Sequence, residues 1–153
     1  MPNILLALDC SPHSRRAAEY VAQLAPHLPD CRLSLLVVCT GIPYSAQAAA
    51  AQVEGEVHGD QDHHQERQEI DAFLADIEQL LIRAGFPAAR LERRIKPLGR
   101  GVVQDILDEA AAAQCDTLVV GRRGVSKMRA LLLGSVSAEL VRQASGRTVW
   151  VVE

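Results

Sequence analysis

Four short apolar runs mark the chain: NILLAL from Asn3, LSLLVVC from Leu33, TLVV from Thr117 and TVWVV from Thr148. Continuous apolar runs of this length, without polar alternation, are expected of strands buried on both faces. The segments between them change period. Ala17, Tyr20, Val21, Leu24 and Leu28 recur at helical spacing, and from Gln65 so do Ile70, Phe73, Leu74, Ile77, Leu80, Leu81 and Ala84, stopped by Gly85 and Pro87. Val102, Val103, Ile106, Leu107 and Ala110 face inward from a helix opened by Gly99 and Gly101, and a last helix covers Ser135 to Ala144. Leu91–Ile95 reads as a more polar strand nearer a sheet edge. Strands alternating with helices require parallel pairing through right-handed crossovers. The predicted fold is a single-domain α/β structure: an open five-stranded parallel sheet in the order 3-2-1-4-5, with helices on both faces. No repeat or linker divides its 153 residues.

The segment from Thr40 to about His64 interrupts this regularity. It holds GIPYSAQAAAAQ and then EGEVHGDQDHH, and reads as a long surface loop with room for a helical turn, functional or mobile. His58, His63 and His64 stand there among Asp60 and Asp62. A transition-metal site needs ligands converging from rigid elements, so a solvated loop is the better reading.

In an order of 3-2-1-4-5, ligands bind where the connections reverse, between the carboxyl ends of strands one and four. Asp9 ends the first strand, and Val120 and Gly121 end the fourth. From Gly121 the chain reads GRRGVSKMRALLLGSV, a G-x2-G-x9-G-[ST] pattern leaving a buried strand and entering a helix. Glycine supplies unusual dihedrals and close backbone approach, and a helix start offers free N–H groups to an anion. Ser135 can cap that helix or donate to a phosphate oxygen, while Arg122, Arg123, Lys127 and Arg129 add cations suited to a polyphosphate. The spacing is neither that of a Walker loop nor the G-x-G-x-x-G of dinucleotide folds.

GRRGVSKMRALLLGSV resembles the nucleotide-binding signature of the universal stress protein family. ILLALDCSPHSRRA is similar to the family's opening strand and helix, CDTLVVG to its fourth strand, and SAELVRQASGRTVWVV to its closing helix and strand. The resemblance implies a Rossmann-like fold of the adenine nucleotide alpha hydrolase type and places the chain in the ATP-binding subclass. It implies ATP, with AMP or ADP as alternative bound forms and Mg²⁺ held through the phosphates. Gly121, Gly124, Gly134, Ser135 and Val136 would hold phosphates or ribose through backbone groups. Asp9 would lie near the ribose, with Ala7 beside it, and Val38 would read the adenine edge. Cys10 stands where the family often has glycine, and Val37 where it often has histidine. The resemblance also implies a homodimer, here through the terminal strand Thr148–Val152, acting as a stress-response regulator or sensor with a further protein partner.

Three side chains have rival readings. Asp9 could cap the first helix, with Ser11 as its competitor. Ser11 and Ser14 read as caps rather than nucleophiles, and Cys10 as a half-buried thiol rather than a redox group. No Ser-His-Asp arrangement or obvious base beside the phosphates is legible. A weak ATPase or phosphoryl-transfer enzyme, or a nucleotide-free interaction module, remains as the alternative. A net charge of −3 and 3% aromatic residues argue against nucleic acid as a partner. The four cysteines form no CxxC pair, MPNILLALD is not a signal peptide, and no run reaches a membrane span. The expected location is therefore the cytoplasm.

Overall fold

A computed structural model describes residues 2–45, 60–124 and 133–153. Its strands are β1 (Asn3–Leu8), β2 (Arg32–Cys39), β3 (Leu91–Pro97), β4 (Thr117–Gly121) and β5 (Thr148–Val152), and its helices are α1 (Pro12–Leu24), α2 (Asp60–Arg83), α3 (Val102–Ala112) and α4 (Ser135–Gln143). The strands form one parallel sheet in the order β3-β2-β1-β4-β5. The expected architecture and strand order are those observed.

The pleat explains the unbroken apolar runs. Ile4, Leu6 and Leu8 point to one face of the sheet, where they join Ala17 and Val21 of α1 and Leu74 and Ile77 of α2. Leu5 points to the other face, toward Ile106 and Ala110 of α3 and Leu140 of α4. Central strands are therefore apolar at nearly every buried position, Ser34 and Thr117 apart, whereas β3, at an edge, carries Glu92, Arg93 and Arg94.

Local chemistry sets the helix ends. Ser11 is the N-cap of α1: its hydroxyl accepts from the Ser14 N–H at 3.1 Å, and Pro12 follows at the first helical position. Ser11 is thus the cap as expected, whereas Ser14 lies within the first turn and its hydroxyl donates back to the Ser11 carbonyl at 2.9 Å. At the end of α2, Gly85 has φ +102° and the Phe86 N–H bonds the Leu81 carbonyl at 3.0 Å. This left-handed stop carries the buried Phe86 into the core.

One expectation needs correction. α2 spans Asp60–Arg83, so residues 60–64 belong to a helix rather than to the far end of the loop. Those five residues carry no apolar side chain and hence no periodic signal, but each residue added to an existing helix adds a hydrogen bond. His64 lies 3.2 Å from the Gln68 side chain one turn on, as helical neighbours should. The rest of the expected loop, 46–59, lies outside the described residues, and His58 with it. Among the described residues, no helix is long and apolar enough to cross a membrane.

Candidate functional site

A cleft of about 230 Å³ opens at the carboxyl ends of β1, β2 and β4, where the strand order reverses direction. Ala7, Asp9, Val38, Val120, Gly121, Arg123, Gly124, Gly134, Ser135 and Val136 all line it. β2 and β4 flank β1 on opposite sides, so the cleft has a β2 lobe and a β4 lobe, with Asp9 between them.

The β4 lobe is built by close backbone approach. None of Gly121, Gly124 and Gly134 has a positive φ, so the expected need for unusual dihedrals does not apply to them. A Cβ on Gly121 would lie 2.8 Å from the backbone carbon and oxygen of His13, in the first turn of α1. On Gly134 it would meet Arg123 Cα at 3.2 Å and the Arg122 carbonyl oxygen at 3.3 Å, where the chain returns across its own exit path. On Gly124 it would come within 2.6 Å of the Asp9 carboxylate. Two of the glycines thus let main chains cross, and the third makes room for an acid.

Hydrogen bonds close the lobe. The Arg122 carbonyl accepts from the Gly134 N–H at 2.8 Å and from the Ser137 hydroxyl at 2.9 Å, tying the start of α4 to the end of β4. Gly134 is the N-cap of α4 and makes no side-chain cap bond, so Ser135 is the first helical residue and not the cap. Ser135, Val136 and Ser137, the first turn of α4, border the cleft. There the amide groups are those a helix leaves without internal partners. The Asp9 carboxylate accepts from the Ser11 N–H at 3.1 Å; it supports the turn into α1 but does not cap the helix, which Ser11 does.

The two described cations of the motif face different ways. Arg123 lines the cleft, and its buried Nε has no hydrogen-bond partner among the described residues. Arg122 instead forms an ion pair with Glu153, and its N–H bonds the Val152 carbonyl at 2.6 Å. The parallel register explains this, since Gly121 stands opposite Val152 and so Arg122 falls opposite Glu153. Lys127 and Arg129 lie outside the described residues.

The β2 lobe contains groups that the sequence reading missed. Thr40, Ile42 and Tyr44 line it from the segment after β2, and Glu66, Glu69 and Ile70 from α2. Glu66 is only 6% exposed; its carboxylate accepts from the Thr40 N–H at 2.8 Å and the Gly41 N–H at 3.0 Å. One signal was available: Glu66 stands four residues before Ile70, in phase with the apolar stripe of α2. Glu69 accepts from the Ser45 N–H at 3.2 Å and from the Ser45 hydroxyl. Burial works to raise its pKa, but the bonds from Ser45 and Gln65 outweigh it and hold the carboxyl below its usual range.

Cys10 lies between the lobes with φ +62°, the left-handed region that favours glycine. Burial, together with the charges of Asp9, Glu69 and Glu66, pushes its thiol up to about 12. It is a protonated, weakly nucleophilic group at neutral pH. Among the described residues, no three His, Cys, Asp or Glu side chains converge as a metal site.

The model of the universal stress protein family matches residues 1–153. The chain belongs to the universal stress protein family. Solved structures agree on the fold. A universal stress protein family member from Burkholderia pseudomallei is 20% identical with a TM-score of 0.71, covering 98% of this chain and 94% of the other. The universal stress protein from Archaeoglobus fulgidus, solved in complex with dAMP, is 19% identical with a TM-score of 0.66, covering 100% and 98%. A family protein from Arabidopsis thaliana, solved with AMP bound, is 21% identical with a TM-score of 0.61, covering 99% and 91%. The comparison with curated proteins finds no match. A universal stress protein fold with its glycine motif facing an acid across the switch point is thus the frame for function.

Proposed function

We infer that this universal stress protein binds ATP, with AMP or ADP as alternative occupants, and that the bound nucleotide sets its conformation or its choice of protein partner. The observation that carries the reading is the meeting of Gly124 with the Asp9 carboxylate at the switch point, beside the first turn of α4. Phosphates would lie in the β4 lobe against the amides of Gly124, Ser135 and Val136, with Arg123 supplying the cation that Arg122 does not. The ribose hydroxyls would fall to Asp9, and the base to the apolar walls near Ala7, Val38 and Val120. Mg²⁺ would travel on the phosphates, neutralising their charge.

The same reading includes a cytoplasmic homodimer through β5. That strand is a sheet edge, and its Trp150 packs edge-to-face on Tyr20, ring centroids 6.2 Å apart, with Tyr20 42% exposed. Nucleotide released from purified protein, identified by mass, tests the reading. ATP, ADP or AMP in near-stoichiometric amount supports it; release of a non-nucleotide ligand would overturn it. Turnover with Mg-ATP well above about one per minute, a threshold set far below ordinary enzyme rates, would replace the regulator by an enzyme.

A further inference from the structure

The geometry points to Glu66 and Glu69 of α2 as positioning residues that hold the base-side wall of the cleft and set its selectivity for adenine. This rests on the nucleotide reading above. The wall is the segment from Thr40 to Ser45, which follows β2 directly and contributes Thr40, Ile42 and Tyr44 to the cleft. It begins two residues after Val38, so its path decides where the backbone at the end of β2 meets a base.

The Cys39 carbonyl is held by the Leu98 N–H at 2.9 Å, and after it two acids of α2 take up backbone amides of the wall. Glu66 takes the N–H groups of Thr40 and Gly41, one on each carboxylate oxygen. One turn along the helix, Glu69 takes the N–H and hydroxyl of Ser45, with Gln65 bonded to both partners. Bonds from amides to an ionised carboxylate are stronger than neutral ones, and a wall held before the ligand arrives loses less freedom on binding. A buried carboxylate in phase with an apolar stripe is costly unless such a duty offsets it.

Neither acid touches the β4 lobe groups assigned to the phosphates, so their loss should act on base selectivity more than on phosphate affinity. The experiment compares ATP and GTP binding by titration calorimetry for the full chain, Glu66→Gln and Glu69→Gln. Glutamine keeps the size but presents one acceptor oxygen where Glu66 has two amides to satisfy. Wild type should prefer ATP. Glu66→Gln should lose about tenfold in ATP affinity while GTP affinity changes less than about twofold, a fold-change typical of one charge-assisted bond. Glu69→Gln, whose acid is less buried and safer for the fold, should narrow the same ratio to a smaller extent. An ATP-to-GTP ratio unchanged in both variants, whether both affinities fall or neither does, overturns the proposal. So does a wild type that binds ATP and GTP equally. A wild type that binds neither overturns the nucleotide reading itself, and this proposal with it.

Discussion

Replacing Gly124 by alanine separates the role of the site from that of the fold. The new Cβ would lie 2.6 Å from Asp9 Oδ2, closer than any real contact, while Gly124 lacks the positive φ that would strain alanine. The carboxylate is the free end of a side chain, so it can turn away. In doing so it gives up the Ser11 N–H it accepts at 3.1 Å, a loss of about 0.5–1.5 kcal/mol. Alanine reduces the freedom of the unfolded chain and returns about 0.4–1 kcal/mol. The two nearly cancel, so stability should change by less than about 1 kcal/mol and the melting temperature by a few degrees at most. Nucleotide affinity should respond differently. A hydrogen bond to a charged group contributes about 1.5–3 kcal/mol, so moving Asp9 off the ribose should weaken ATP binding by roughly 10- to 150-fold. Titration calorimetry and thermal unfolding on the same preparations read both quantities. Gly121→Ala is the contrast, because its Cβ would strike the His13 backbone, which cannot rotate away. It should destabilise by about 1–3 kcal/mol as an overpacked site, with or without nucleotide. Undiminished ATP affinity in Gly124→Ala, or a collapse of stability there as large as in Gly121→Ala, would refute this division of labour.

Three further outcomes follow from the same geometry. With its pKa pushed up to about 12, Cys10 should be thiolate in only about one molecule in ten thousand at pH 8, so native-state alkylation followed by peptide mass analysis should leave it unmodified; rapid labelling would contradict a protonated, half-buried thiol. Asp105, 2% exposed, accepts from the N–H groups of Gly99 at 2.7 Å and Arg100 at 3.1 Å, and the Gly99 bond in particular holds its carboxyl below the usual range. A depressed folded-state pKa gives stability that is present above the ordinary value of 3.8 and lost as pH falls through the folded value. Asp105→Asn should therefore lose about 1–3 kcal/mol at pH 7, a loss that shrinks as acid protonates Asp105 in the folded protein, in denaturant titrations; a loss independent of pH would contradict it. Trp150, the single tryptophan of the chain, lies on β5, so dilution through the dimer–monomer transition should shift its emission to the red in step with the sedimenting mass. A monomer at all concentrations would exclude pairing through this edge.

The fold was largely legible because its central strands are buried on both faces, which leaves runs such as LLALD and TLVVG with little alternative. The β4 lobe was legible for a related reason: of three glycines at fixed spacing, Gly121 and Gly134 mark close backbone crossings and Gly124 leaves room for the Asp9 carboxylate. The orientation of Arg122 was not read from composition, since a cation beside a glycine turn does not say which way it faces; the β4–β5 register does. The β2 lobe was missed because its walls are held by backbone amides of a loop paired to acids about 25 residues away in sequence, a contact with no local periodicity.

The central claim is that the cleft between β1 and β4 is an adenine nucleotide site. Titration of the nucleotide-stripped chain with Mg-ATP tests it most directly. The account predicts saturable binding at one site per chain, weakened in Gly124→Ala. Absence of binding heat at millimolar ATP, from a chain that remains folded, would contradict it.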